Sequence, residues 1–137
     1  MNRRDEIAKN LLAVQGKITR PDITLIAVTK TYPVSDVQIL HELGIRNFGE
    51  NRNEEGLEKG ALVDGRWHFQ GEIQSRKLRG IAQWADVIHS LDDASHATKL
   101  NSVTGNTIDI FLQLSLDGDP ARGGVTASEL AAIGAHL

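Results

Sequence analysis

Cysteine is absent from this sequence of 137 residues, which excludes disulfide bonds, thiolate metal sites and a cysteine nucleophile. No apolar stretch approaches the roughly 18 residues of a membrane span, and no apolar signal segment follows the charged N-terminus. The five histidines show no close metal-ligand spacing, so the sequence predicts no metal site. Together these absences favour a cytoplasmic protein.

Positive charge and aromatic residues are also scarce. The net charge is -3 at pH 7 and the lysines and arginines are dispersed, so we expect no DNA or RNA partner. Aromatic residues make up 4% of the chain, so the core should consist mainly of Leu, Ile, Val and Ala. The length suits a single domain over residues 1–137, whereas a complete (β/α)8 barrel needs roughly 250 residues.

Short apolar runs alternate with longer amphipathic ones along the chain. After an N-terminal helix over residues 3–18, this pattern predicts five β/α units. The predicted strands cover 23–30, 45–49, 66–70, 86–90 and 108–116, and the helices cover 35–43, 52–59, 75–84, 93–101 and 127–137. The alternation is typical of a parallel α/β fold, whose right-handed crossovers bring all the strand ends to one rim.

Lys30 is the leading candidate for chemistry. It ends the apolar run 23–30, which reads as a strand buried on both faces, and Tyr32 and Pro33 follow almost at once. A partly desolvated lysine at a strand's C-terminal end would favour its neutral amine, which can attack an aldehyde to form a Schiff base. The alternative is an inert, solvated lysine in a loop.

Two polar residues follow the second predicted strand. Asn51 stands three residues before Glu54, the spacing of a capping box, so either a helix cap or a ligand contact fits it. Glu50 could act as a general base, or it could lie next to a hydroxyl group on the ring of a bound ligand. A carboxylate paired at the surface or in the core is the favoured interpretation, and no catalytic role is assigned to Glu50.

The third predicted β/α unit contributes further polar groups. His68 alternates with two aromatic neighbours, so it either hydrogen-bonds a cofactor oxygen from the interior or is a satisfied core histidine. Ser75 fits a helix N-cap, which would place Arg76 and Lys77 in the first helical turn. Cations there hint at a bound anion, although two solvated charges are the simpler explanation.

Four motifs occur in register with those of a known family. They are AVTKTYP at 27–33, NFGEN at 47–51, WHFQGEIQSRK at 67–77 and IHSLD at 88–92. In this order they resemble the pyridoxal phosphate homeostasis family, which is related to the N-terminal barrel of alanine racemase. The resemblance runs from about residue 5 to the last residue.

This resemblance implies a TIM-barrel type of α/β fold, (β/α)8, of which only about the first five β/α units are present. It implies that Lys30 carries pyridoxal 5'-phosphate as an internal aldimine and that Asn51 and His68 lie at the cofactor site. The implied role is cofactor buffering or delivery without turnover. Alternatives are an amino-acid racemase that uses the same cofactor, and a shortened chain that does not bind it.

Five strands alone would leave the inner sheet face exposed, so self-association through the open sheet is a further expectation.

Overall fold

A parallel β-sheet of five strands organises the chain, and the computed structural model describes it over residues 1–137. The strands are β1 (Ala27–Val28), β2 (Asn47–Glu50), β3 (Arg66–Phe69), β4 (Val87–Leu91) and β5 (Asp109–Leu112). The α-helices are α1 (Arg3–Gln15), α2 (Val34–Glu42), α3 (Asn53–Leu62), α4 (Leu78–Trp84), α5 (Ala94–Val103) and α6 (Ala127–Gly134). A single 3-10 turn, Ser75–Lys77, precedes α4.

Each strand pairs in parallel with the next one along the chain, so the spatial order of the sheet is β1-β2-β3-β4-β5. Each helix packs against the next, which gives one helical layer. This is the arrangement that right-handed crossovers between adjacent parallel strands produce. The prediction of an N-terminal helix followed by five β/α units is therefore confirmed. None of the helices combines the length and the apolar character that crossing a membrane requires.

The hydrophobic core lies between the sheet and the helical layer. Phe48 and Trp67 stack with their ring centroids 5.1 Å apart, and Trp84 of α4 meets Trp67 and Phe69 edge-on at 6.4 and 5.9 Å. Most of the other core residues are aliphatic, as the composition predicts. A Cβ atom on Gly56 would lie 2.2 Å from the Trp84 ring, so α3 and α4 approach closely only because that position is glycine.

The opposite face of the sheet is open to solvent at its two outer strands, β1 and β5. Val28 on β1 is 46% exposed and Phe111 on β5 is 58% exposed. His89 stacks on Phe111 with a centroid distance of 4.9 Å. In a closed barrel this face would be the filled interior. The expected exposure of the inner face is therefore present at the outer strands, whereas His68 on β3 is buried.

Several predicted boundaries are wrong, and the largest error concerns β1. Only Ala27–Val28 of the predicted run 23–30 forms strand, and Lys30 lies in the turn that follows. Because β1 is an edge strand beside an uncovered face, it is not buried on both faces as expected. The predicted strand 108–116 shortens to Asp109–Leu112, with one isolated bridge between Leu114 and Val125.

Candidate functional site

Lys30 lies in a tight turn at the C-terminal end of β1. The Tyr32 backbone N–H donates to the Thr29 carbonyl oxygen at 3.1 Å, so Lys30 is the second of four turn residues. Its side chain is exposed, and the expectation of a partly desolvated amine is wrong. The physical reason is the same as for β1: nothing covers the inner face beside this edge strand.

Side chains from α3 hold this turn on both sides of Lys30. Lys59 Nζ donates to the Thr29 carbonyl oxygen at 2.8 Å. Glu55 Oε1 accepts from the Thr31 backbone N–H at 3.0 Å. Thr31 has a φ of +69°, which makes it the chain's single non-glycine residue with positive φ. The turn next to the candidate lysine is therefore strained and fastened to α3.

Beneath the turn lies a buried ion pair. Glu50 is fully buried and Lys59 is 3% exposed. Glu50 Oε1 accepts from Lys59 Nζ at 2.6 Å and from Thr29 Oγ1 at 2.6 Å. Glu50 Oε2 receives no hydrogen bond from the protein. The interpretation of Glu50 as a paired core carboxylate is confirmed.

Sequence reasoning missed both of the α3 residues that reach this turn. Glu55 and Lys59 have the i, i+4 spacing of a helical ion pair, and their charged atoms lie 3.6 Å apart. That spacing was the available signal. It could not show that Lys59 is buried or that it reaches β1, because these depend on how α3 packs on the sheet.

Asn51 follows the C-terminal end of β2 directly. Because β2 pairs with β1 in parallel, Asn51 and Lys30 both lie at the C-terminal rim of the sheet. The side chain of Asn51 is not the helix cap: α3 begins at Asn53, with extended Arg52 as N-cap and no side-chain cap hydrogen bond. The capping-box interpretation is therefore wrong, because the chain stays extended for one residue more than the spacing suggests.

Backbone packing fixes the position of Asn51 from the β3 side. A Cβ atom on Gly71 would lie 2.1 Å from the Asn51 carbonyl oxygen, so only glycine permits this approach. Ser90 Oγ in turn donates to the Gly71 carbonyl oxygen. The loops that follow β2 and β3 are thus packed tightly against each other at the C-terminal rim.

His68 lies on β3, in the row of paired residues that also contains Val28 of β1 and Gly49 of β2. It is 4% exposed. Its Nε2 lies 3.0 Å from Asn47 Oδ1 and its Nδ1 lies 2.8 Å from His89 Nε2. Because the amide oxygen accepts, we assign the proton to His68 Nε2, which leaves Nδ1 to accept from His89. His68 is a satisfied core histidine, and no hydrogen bond joins it to Lys30.

Burial lowers the pKa of His68 to about 4, and the neighbouring His89 and Arg66 act in the same direction. Burial also lowers the pKa of His89. The folded protein therefore holds this pair neutral under conditions in which an unfolded chain would begin to protonate it.

We expect this pair to make the fold sensitive to mild acid. The pKa of His68 is lower in the folded state than the ordinary 6.5, so its contribution to stability is present above pH 6.5 and is lost as the pH falls towards 4. Between pH 7 and 5 the loss from His68 alone should be about 2 kcal/mol. Urea unfolding at both pH values, compared with His68→Gln, measures it. Equal pH dependence in the two proteins would contradict the assignment.

The cations predicted to attract an anion lie on the helical side of the rim. Ser75 opens the 3-10 turn and is not an N-cap, since that position belongs to Gln74. Lys77 is paired with Glu54, and Arg76 lines a cleft of about 320 Å³ with Asn51 and Arg52. The cleft is also lined by Glu54 and Glu72, so its charge is mixed, and a bound anion there stays a prediction.

The fold and site together define the class of this protein. Successive parallel β/α units in sequential strand order, with the candidate residues at their C-terminal rim, are typical of a TIM-barrel type α/β protein. Its sequence matches the family described as alanine racemase, N-terminal domain, over residues 3–137. The chain belongs to that family.

Two similar proteins from bacteria have the same description. The pyridoxal phosphate homeostasis protein of Corynebacterium glutamicum is 39% identical over 131 residues, covering 86% of this chain and 59% of the relative. Its counterpart in Escherichia coli K12 is 31% identical over 144 residues, covering 92% and 62%. This chain therefore spans about three fifths of the relatives' length.

Solved structures agree with this relationship. PipY of Synechococcus elongatus without pyridoxal phosphate superimposes with a TM-score of 0.84 at 33% identity, over 92% of this chain and 61% of PipY. PipY with pyridoxal phosphate bound gives a TM-score of 0.77 at 33% identity, over 87% and 58%. The five β/α units thus have the arrangement found in that protein.

Proposed function

We propose that this chain binds pyridoxal 5'-phosphate reversibly through Lys30 and takes part in pyridoxal phosphate homeostasis in the cytoplasm. The observation that carries the proposal is the exposed primary amine of Lys30 in a braced turn at the rim of the sheet. Relatives that are 31–39% identical to this chain over the aligned residues are described as pyridoxal phosphate homeostasis proteins.

The residues present fit the aldehyde end of this cofactor. An aldehyde needs an accessible amine, and Lys30 offers one on the solvent side of its turn. Asn51 follows the adjacent strand at the same rim, and its side-chain amide is the proposed hydrogen-bonding partner of the ligand there. Of the candidate residues, His68 has the least support, because both its ring nitrogens are already engaged.

The proposed reaction is a reversible condensation. When bound, the cofactor supplies the aldehyde carbon. The Lys30 amine would attack that carbon, and loss of the carbonyl oxygen as water with two protons from the amine would leave a C=N bond. Hydrolysis reverses each step. Lys30 is exposed, so water can reach the new bond, and this access suits reversible storage and release of the cofactor.

Binding is tested by adding pyridoxal 5'-phosphate, reducing with borohydride and mapping the labelled peptides. We expect a visible Schiff-base absorbance band, one reduced adduct on Lys30, and loss of both in Lys30→Ala. Lys17→Ala removes an exposed lysine outside the rim and is the matched control, which should label like the unaltered chain. Label scattered over the surface lysines would contradict the proposal.

A further inference from the structure

The geometry points to a positioning role for Glu55 and Lys59 of α3: they hold the turn that carries Lys30 in the one conformation that presents its amine. This inference rests on the proposed Schiff base at Lys30. Neither residue touches the reacting atoms. They act through the backbone on each side of Lys30, at the Thr29 carbonyl and the Thr31 N–H.

The conformation of the turn is identified by its backbone. The Thr29 carbonyl accepts from the Tyr32 N–H, and the third residue, Thr31, has a φ of +69° while Lys30 does not have positive φ. Positive φ at the third position alone is the signature of a type II turn, where glycine is the usual residue. A β-branched threonine there is strained by roughly 1–2 kcal/mol. By itself, the sequence would favour a type I turn.

Type I and type II turns differ by a flip of the central peptide. In this turn the central peptide joins Lys30 to Thr31, and its N–H is the group that donates to Glu55 Oε1 at 3.0 Å. A flip would replace that N–H by the Lys30 carbonyl and set two oxygens against each other. Glu55 therefore selects the type II turn against the preference of Thr31.

Lys59 fastens the first peptide of the same turn. Its buried ammonium donates to the Thr29 carbonyl oxygen at 2.8 Å and to Glu50 Oε1 at 2.6 Å. Glu55 Oε1 lies 3.6 Å from the same ammonium. The charges of α3 and β2 thus form one connected cluster under the turn. Fixing the backbone before the ligand arrives reduces the conformational freedom lost on binding.

Glu55 is the residue to change, because it is partly exposed and Lys59 belongs to the core. Glu55→Ala should free the Thr31 N–H and weaken Schiff-base formation at Lys30 by roughly tenfold, the effect of one lost hydrogen bond to a charged group. Glu55→Gln keeps an acceptor oxygen and should restore most of the binding. Glu58→Ala, an exposed change on the same helix, is the control.

Two measurements separate this role from general damage to the fold. Amide hydrogen exchange without any added aldehyde should be faster at Thr31 in Glu55→Ala and near the unaltered rate in Glu55→Gln and Glu58→Ala. Titration with pyridoxal 5'-phosphate should then rank Schiff-base formation at Lys30 in the same order.

The outcomes distinguish the two proposals. Absence of a Schiff base at Lys30 in the unaltered chain would overturn the proposed function, and the positioning role with it. A Schiff base that forms equally well in Glu55→Ala would overturn the positioning role alone, as would unchanged exchange at Thr31. Weakened binding that Glu55→Gln fails to restore would also count against it, since it would implicate the charge and not the hydrogen bond.

Discussion

Replacing Lys59 with methionine should lower the free energy of unfolding by about 3–5 kcal/mol. The substitution keeps most of the side-chain length but removes the ammonium that neutralises Glu50, which is fully buried. Glu50 Oε2 already lacks a protein donor, and Oε1 would keep only Thr29 Oγ1. Removing the positive charge that pairs with a buried carboxylate is among the most destabilising changes that a protein core can undergo.

Urea unfolding at pH 7 measures this effect. Lys9→Met, an exposed change in α1, is the control and should stay within about 0.5 kcal/mol of the unaltered chain. The double variant Lys59→Met with Glu50→Gln should recover part of the loss, because the unpaired charge is then gone. A single variant that loses less than about 1 kcal/mol would show that the pair is not buried in solution.

Gly56→Ala should destabilise the fold by about 3 kcal/mol, although alanine is the better helix former. The new Cβ would lie 2.2 Å from Trp84. That ring cannot retreat easily, because it packs on Trp67 and Phe69 and its Nε1 donates to Asn53 Oδ1 at 2.9 Å. Relief requires α3 and α4 to move apart and so opens the core.

Gly60→Ala is the matched control on the same helix. Its Cβ would have its nearest contact at 3.4 Å, an ordinary distance to Trp84 Cβ. We therefore expect a gain of about 0.5–1 kcal/mol from the lost flexibility of glycine. Thermal or urea unfolding of both variants gives the comparison. Equal effects at the two positions would contradict the close approach of α3 and α4 at Gly56.

The sequence supplied the framework of the fold and the place of the candidate lysine. Alternating apolar and amphipathic runs are local features, and they predicted each strand and helix in order. The position of Lys30 at the end of the first run placed its amine on the rim, since parallel strands share one C-terminal edge. The four motifs led to the same family that the whole-chain comparison gives.

The interior of the site was less predictable, for a physical reason. Glu50 and Lys59 are nine residues apart, and His68 and His89 are twenty-one apart. Each pair forms only when strand register and helix packing bring its members together. No local pattern encodes such a distance. The same limit explains why Asn51 fitted a helix cap by spacing while extended Arg52 moved the helix start to Asn53.

By itself, then, the sequence determined the order of the elements, the parallel α/β class and the candidate lysine, because these follow from periodicity and position along the chain. The tertiary structure alone decided that β1 is short, that Lys30 is exposed, and that a strained turn held by Glu55 and Lys59 carries it. Those properties depend on which surfaces the neighbouring strands and helices cover and which polar groups they place within hydrogen-bonding distance.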